Sequence, residues 1–175
     1  MSNLRLINET EITSTVTSVD VDNIFSADFD IYKIVLDGVQ ESSSGNHQWV
    51  RMRFINASGS VITASQYHYA QLRMPSSATF AEERAEAQNN ILYTGLGYTD
   101  DYGTNSVAYI FNPYSPDLYT FTLGQSSFTS GLVNQNAKGI GSYKSTERIR
   151  GIRFYQSSGS MGSGFIRIYG LRVDS

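Results

Sequence analysis

Two histidines, sixteen acidic residues and no cysteine bound the chemistry open to this chain. His47 stands in a Ser/Gly-rich loop, where a solvated side chain is the simplest reading. His68 falls in Tyr67-His-Tyr69, an alternating stretch in which it fits a hydrogen-bonded sheet position. The absence of cysteine excludes a thiolate nucleophile, a thiolate zinc site and a disulfide framework. No serine occupies a nucleophile-elbow context, and neither a His-Glu-x-x-His pair nor a Gly-rich phosphate loop occurs. Gly95-Leu-Gly97 is too short for a nucleotide cradle. Asp20-Val-Asp22, Asp28-Phe-Asp30 and Asp100-Asp101 carry oxygens suited to Ca²⁺, but that ion needs about six to eight of them and no stretch has the spacing of a full loop. Acids flanking turns are the simpler account. Glycoside hydrolysis would need two carboxylates brought together by folding, and the sequence neither shows nor forbids such a pair. No catalytic residue, metal or cofactor is assigned.

A second group of residues is suited to contact rather than to reaction. Trp49, Arg51 and Arg53 alternate with Val50, Met52 and Phe54, so they share one face of an expected strand. Near the end of the chain, Arg153 and Tyr155 alternate with Ile152 and Phe154, while Phe165, Arg167 and Tyr169 alternate with Ile166 and Ile168. Arginine and aromatic residues are enriched where a partner buries a surface and lysine is depleted there; this chain has ten Arg and three Lys. The set is therefore the candidate interface. The plainer alternative is cross-strand stacking on an ordinary solvated sheet, at about 0.5–1 kcal/mol per cation–π contact.

The elements that would position these residues are strands. Arg148–Gln156 and Gly164–Val173 flank a Ser/Gly loop and predict a closing β-hairpin. Within it, a bulge at Gly170 would return Leu171 to the core side. Asp30–Asp37 is a strand with Tyr32, Ile34 and Leu36 inward. Gln48–Ile55 is another, followed by a tight turn at Asn56–Ser60 and a partner strand over Val61–Tyr69. Further strands are expected at Ile91–Tyr93, Ser106–Phe111 and Leu118–Leu123, with a short one over Ile140–Tyr143. Phe80–Gln88, rich in Ala and Glu, predicts one or two helical turns. Residues 1–21 form an extended arm and first strand, β-branched in composition, whose first ten residues could be ordered against another chain, so that removing residues 1–11 would weaken assembly more than folding. The fold expected is all-β, an antiparallel sandwich of jelly-roll or Greek-key type over 22–175, with the arm at 1–21.

Composition agrees. A chain of 175 residues that is 40% hydrophobic suits one domain. Twelve Tyr, nine Phe and abundant Ser, Thr and Gly favour strands and turns. A net charge of −3 gives no field that would draw nucleic acid or an anionic membrane, so neither partner is expected. No apolar run approaches the roughly 20 residues of a membrane-spanning helix, and the first residues lack the pattern of a secretory signal.

Asn23-Ile-Phe-Ser-Ala-Asp-Phe-Asp-Ile-Tyr-Lys-Ile-Val-Leu36 resembles a segment that follows the N-terminal arm in a group of bacteriophage virion proteins of marine and cyanobacterial phages. Trp49–Phe54, Ser60–Tyr67, Asn112-Pro113 and the ending Gly151–Phe154 with Gly164–Leu171 extend the similarity over roughly residues 12–173. The resemblance lies in patterned strands and carries no catalytic motif. It implies a non-enzymatic virion structural protein: head decoration, collar, tail or fibre. Its partners would be further copies of itself, most simply a trimer, and other virion proteins. A carbohydrate- or receptor-binding module, with a host glycan as ligand, is the alternative.

Overall fold

A computed structural model describes residues 3–42, 49–92, 103–130, 133–156 and 158–172. His47, Tyr93, Gly95-Leu-Gly97 and Asp100-Asp101 lie outside the described residues. The first half of the chain forms β1 (Leu4–Ile12), β2 (Ser18–Val21), β3 (Ile31–Glu41), β4 (Val50–Asn56), β5 (Tyr67–Pro75) and β6 (Ala81–Gln88). The second half forms β7 (Ile91–Leu92), β8 (Thr104–Phe111), β9 (Thr120–Ser130), β10 (Val133–Tyr143), β11 (Ile149–Gln156) and β12 (Met161–Leu171). Among the described residues there is no helix.

The strands build two antiparallel sheets, one in the order β1-β12-β3-β8-β9-β10-β5-β6 and a smaller one in the order β2-β11-β4-β7. The chain is an all-β antiparallel sandwich. Eight strands wind as a jelly roll, β1-β12-β3-β8 facing β2-β11-β4-β7. The other four are two hairpins, β5–β6 and β9–β10, which join edge to edge and widen the first sheet beyond β8.

Alternation puts the core between the layers. Tyr32, Ile34 and Leu36 of β3 and Ile166 and Ile168 of β12 face Met52 and Phe54 of β4 and Ile152 and Phe154 of β11, all at most 1% exposed. Each such side chain contributes about 1.5–3 kcal/mol by leaving water. Tyr67 and Tyr143 bring rings from the widened part of the large sheet against Phe54, at 5.9 and 5.8 Å between centroids. The Tyr67 hydroxyl accepts the Phe54 N–H (3.0 Å) and donates to the Ile62 carbonyl (3.1 Å), so its polar end is satisfied inside the core. Burial pushes the Tyr67 phenol well above its ordinary pKa.

Several expectations are corrected. Arg148–Gln156 and Gly164–Val173 are not a hairpin: β11 belongs to the small sheet and β12 to the large one, and the chain crosses between layers at the Ser/Gly stretch. Two strands with apolar inner faces alternate identically whether they pair or face each other across a core. There is no bulge at Gly170. It pairs in register with Tyr32 and Arg5, buried beneath the Phe29 ring, and the irregularities of β12 fall instead over Met161–Phe165. After the Asn56–Ser60 turn, where the Asn56 side-chain oxygen accepts the N–H groups of Ser58 and Ser60, Val61 makes a single bridge to Ile55. The chain then leaves for the other layer and becomes β5.

Phe80–Gln88 is strand rather than helix. Ala81–Gln88 hydrogen-bonds along β5 as the edge of the large sheet, and that ladder outweighs the helix preference of Ala and Glu. Its charges suit an edge, where they discourage pairing with another chain; a bulge with Ala87 at φ 51° adds to this. Residues 4–12, expected as arm and first strand, are a strand, ordered not against another chain but along β12 of the same chain from Leu4–Leu171 to Ile12–Gly164.

Candidate functional site

The expected Arg/aromatic set is divided between opposite outer faces, because β11 and β12 lie in different layers. Outside the small sheet, Arg153 grips Asp20 of β2 with two hydrogen bonds of 2.6 Å. Arg53 lies over the Tyr155 ring at 4.8 Å and donates to the Asn89 carbonyl. Arg51 is in register with Tyr155 on the same strand pair. Burial pushes the Tyr155 phenol up. Outside the large sheet, Arg167 stacks on Phe165 at 4.7 Å, bonds Asp37 at 2.7 Å and also pairs with Glu9. Tyr169 stands one alternate position further along β12, opposite Lys33. Trp49 joins neither face: its ring meets buried Phe128 of the large sheet edge-on, at 5.7 Å. Four of these cations and rings thus bind neighbouring strands of their own chain. Exposed pairs of this kind stabilise by about 0–1 kcal/mol.

The acids are also engaged. Asp22 takes two hydrogen bonds from Arg150, and its carboxyl is held below the usual range chiefly by that arginine. Asp28 accepts from the Ser26 hydroxyl. Among the described residues, no three His, Cys, Asp or Glu side chains gather where a metal ion would fit.

The surface that stands out is one the sequence did not single out. On β9 the alternation points its polar side inward: Thr120, Thr122 and Ser126 are buried, while Phe121 and Leu123 are 48% and 49% exposed. Space dictates this. Beneath Thr122, Gly141 and the Ile91 side chain are so close that a Cβ on Gly141 would meet Thr122 Oγ1 at 2.6 Å and Ile91 Cδ1 at 3.1 Å. Only a small side chain fits under β9 there, so the large ones face out. Ile140 of β10, 58% exposed, pairs with Leu123.

Register extends these residues into a belt. Phe111 of β8 lies opposite Phe121, Tyr109 opposite Leu123, Ile140 opposite Ala70 of β5, and Ser142 opposite both Phe121 and His68. On the far flank, Leu6 of β1 stands opposite Tyr169, and Leu4 opposite Leu171. His68, Arg84, Phe111, Phe121, Leu123 and Ile140 line an open hollow of about 680 Å³. Beside it, toward the start of β8, a more polar trough of about 530 Å³ is lined by Asp37, Met74, Asn105, Gln125, Ser127 and Asn136. The most exposed apolar residues at the centre of this belt lie on β9–β10, one of the two hairpins added to the jelly roll. Alternation in Leu118–Leu123 was legible, but alternation alone does not say which side faces the core.

No family model matches the chain, and no curated protein matches it.

Proposed function

We propose that this chain is a non-enzymatic structural protein that works by docking against protein surfaces through the outer face of its eight-stranded sheet. In the setting implied by its resemblance to phage virion proteins, it is a component of head, collar, tail or fibre. One observation carries the reading: Phe121, Leu123 and Ile140, each about half exposed, adjoin one another in register and form the centre of an apolar belt on the sheet. Contiguous apolar surface of this kind on a soluble fold marks an interaction site. Arg167 fastens β1 and β3 to β12 on this same face, and Arg153 fastens β2 to β11 in the layer behind it. Mass spectrometry of purified particles, with immunogold labelling by antibodies to the chain, tests the setting. The protein should be a stoichiometric particle component, and its absence from particles would overturn the virion reading.

A glycan- or receptor-binding module is the second reading, favoured by the trough. There the side-chain amides of Asn105, Gln125 and Asn136 converge beside Asp37 and Met74, as polar groups do in a shallow sugar site. Trp49 supplies no stacking platform, being turned onto Phe128. A glycan array with wild type and Gln125→Ala decides: a signal that the variant loses favours this reading, and an empty array removes it.

A further inference from the structure

We propose that the apolar belt is covered by the same face of a second copy of this chain, with a two-fold axis running along the seam between β8 and β9. The inference rests on the docking role given to this face and names its occupant. Three features of the face argue for a copy of itself.

The first is area. Eight strands about 4.8 Å apart and about 25–35 Å long span on the order of 800–1,300 Å² on one side. A standard interface takes about 800 Å² from each partner, so the face alone is large enough.

The second is the arrangement about the seam. Phe111 of β8 and Phe121 of β9 share one row, and Tyr109 and Leu123 share the next. A two-fold axis along the seam carries β8 over the partner's β9. Phe111 then meets the partner's Phe121, and Tyr109 meets the partner's Leu123, each contact occurring twice. This is the self-complementarity an isologous interface requires. It also leaves the strands of the two layers nearly aligned, one of the two ways sheets stack face to face.

The third is charge. The next strands outward are β3 on one side of the seam and β10 on the other. The axis therefore sets Lys138 of β10 over the partner's β3, between Lys33 and Asp37. At the margins the same axis lays β6 over the partner's β1, so Glu82 falls in the row of the partner's Glu9 with the partner's Arg167 on the adjoining strand. With a net charge of only −3 per chain, two copies are not kept apart by their overall fields.

The absence of cysteine makes the geometry directly testable. Light scattering after size exclusion should give twice the chain mass for the full-length protein. Leu123→Lys, a change at a half-exposed position, should give a monomer with an unchanged circular dichroism spectrum. Tyr109→Cys mixed with Leu123→Cys under mild oxidation should yield the mixed disulfide between chains in preference to either like-with-like product. A wild-type monomer at every concentration, a trimer, or a dimer indifferent to Leu123→Lys would each overturn the proposal, as would a dimer in which like-with-like disulfides predominate. A monomer found in purified particles would sink this inference and leave the docking role standing.

Discussion

A Cβ added at Gly170 would lie 2.6 Å from Phe29 Cγ, inside any tolerated contact. The ring cannot simply retreat, since Phe29 also packs edge-on against Tyr32 at 5.7 Å. Gly170→Ala should therefore cost about 1–3 kcal/mol through overpacking, measured by urea unfolding. Asp22 offers a test of another kind. Arg150 holds its carboxyl below the ordinary pKa, so the folded state releases this proton more readily than the unfolded chain. The pair's contribution is complete above the unfolded carboxyl value of about 3.9 and is lost as pH falls through the lower folded value. Thermal melts should find Asp22→Asn less stable than wild type near neutrality, with the gap closing in acid. Single side chains were partly legible in the sequence. The inward and outward sides of Ile152–Tyr155 and Phe165–Tyr169 are as alternation implies, but their partners are not. Arginine beside tyrosine looks the same whether it waits for a neighbour or is already gripped by Asp20.

Among the elements, β1 makes the sharpest case. Its backbone is paired along β12 and Ile12 reaches the core at 5% exposure, while Leu4 and Leu6 touch only the margin of the apolar belt. Deleting residues up to 11 should accordingly lower stability, seen as an earlier urea midpoint, and leave the association state of the folded fraction unchanged. That reverses the outcome expected of a free arm. β6 shows why composition misleads at an edge: Glu82, Glu83, Arg84 and Glu86 favour a helix in isolation, but beside β5 they serve as a charged margin. Strand positions were readable wherever one side is aliphatic. Strand partners were not, because pairing depends on which layer each strand joins, and alternation is silent on that.

For the whole molecule, a dimer closed by apolar contact has a signature that needs no variant of the core. Its melting temperature should rise with protein concentration, whereas that of Leu123→Lys should not. Salt should matter little, since the seam is built from Phe111, Phe121, Tyr109 and Leu123 rather than from ion pairs. A melting temperature flat across a hundredfold range of concentration would count against association. The jelly-roll class was legible from many short strands without a crossover helix. The widening of one sheet by β5–β6 and β9–β10 was not, though it supplies half the strands of that sheet.

The position of β12 has a consequence for synthesis. It lies between β1 and β3, and Leu4 finds its place only opposite Leu171. At about 5–20 residues per second, roughly 10–30 seconds separate the making of β1 from the arrival of its neighbour. During that interval β1 and the flank of β3 are bare edges on a nascent chain. Glu9 and Glu11 on β1, and Lys33 and Asp37 on β3, put charge on these strands while they wait. On the ribosome those charges guard against premature pairing between neighbouring chains, before Glu9 and Asp37 are taken up by Arg167.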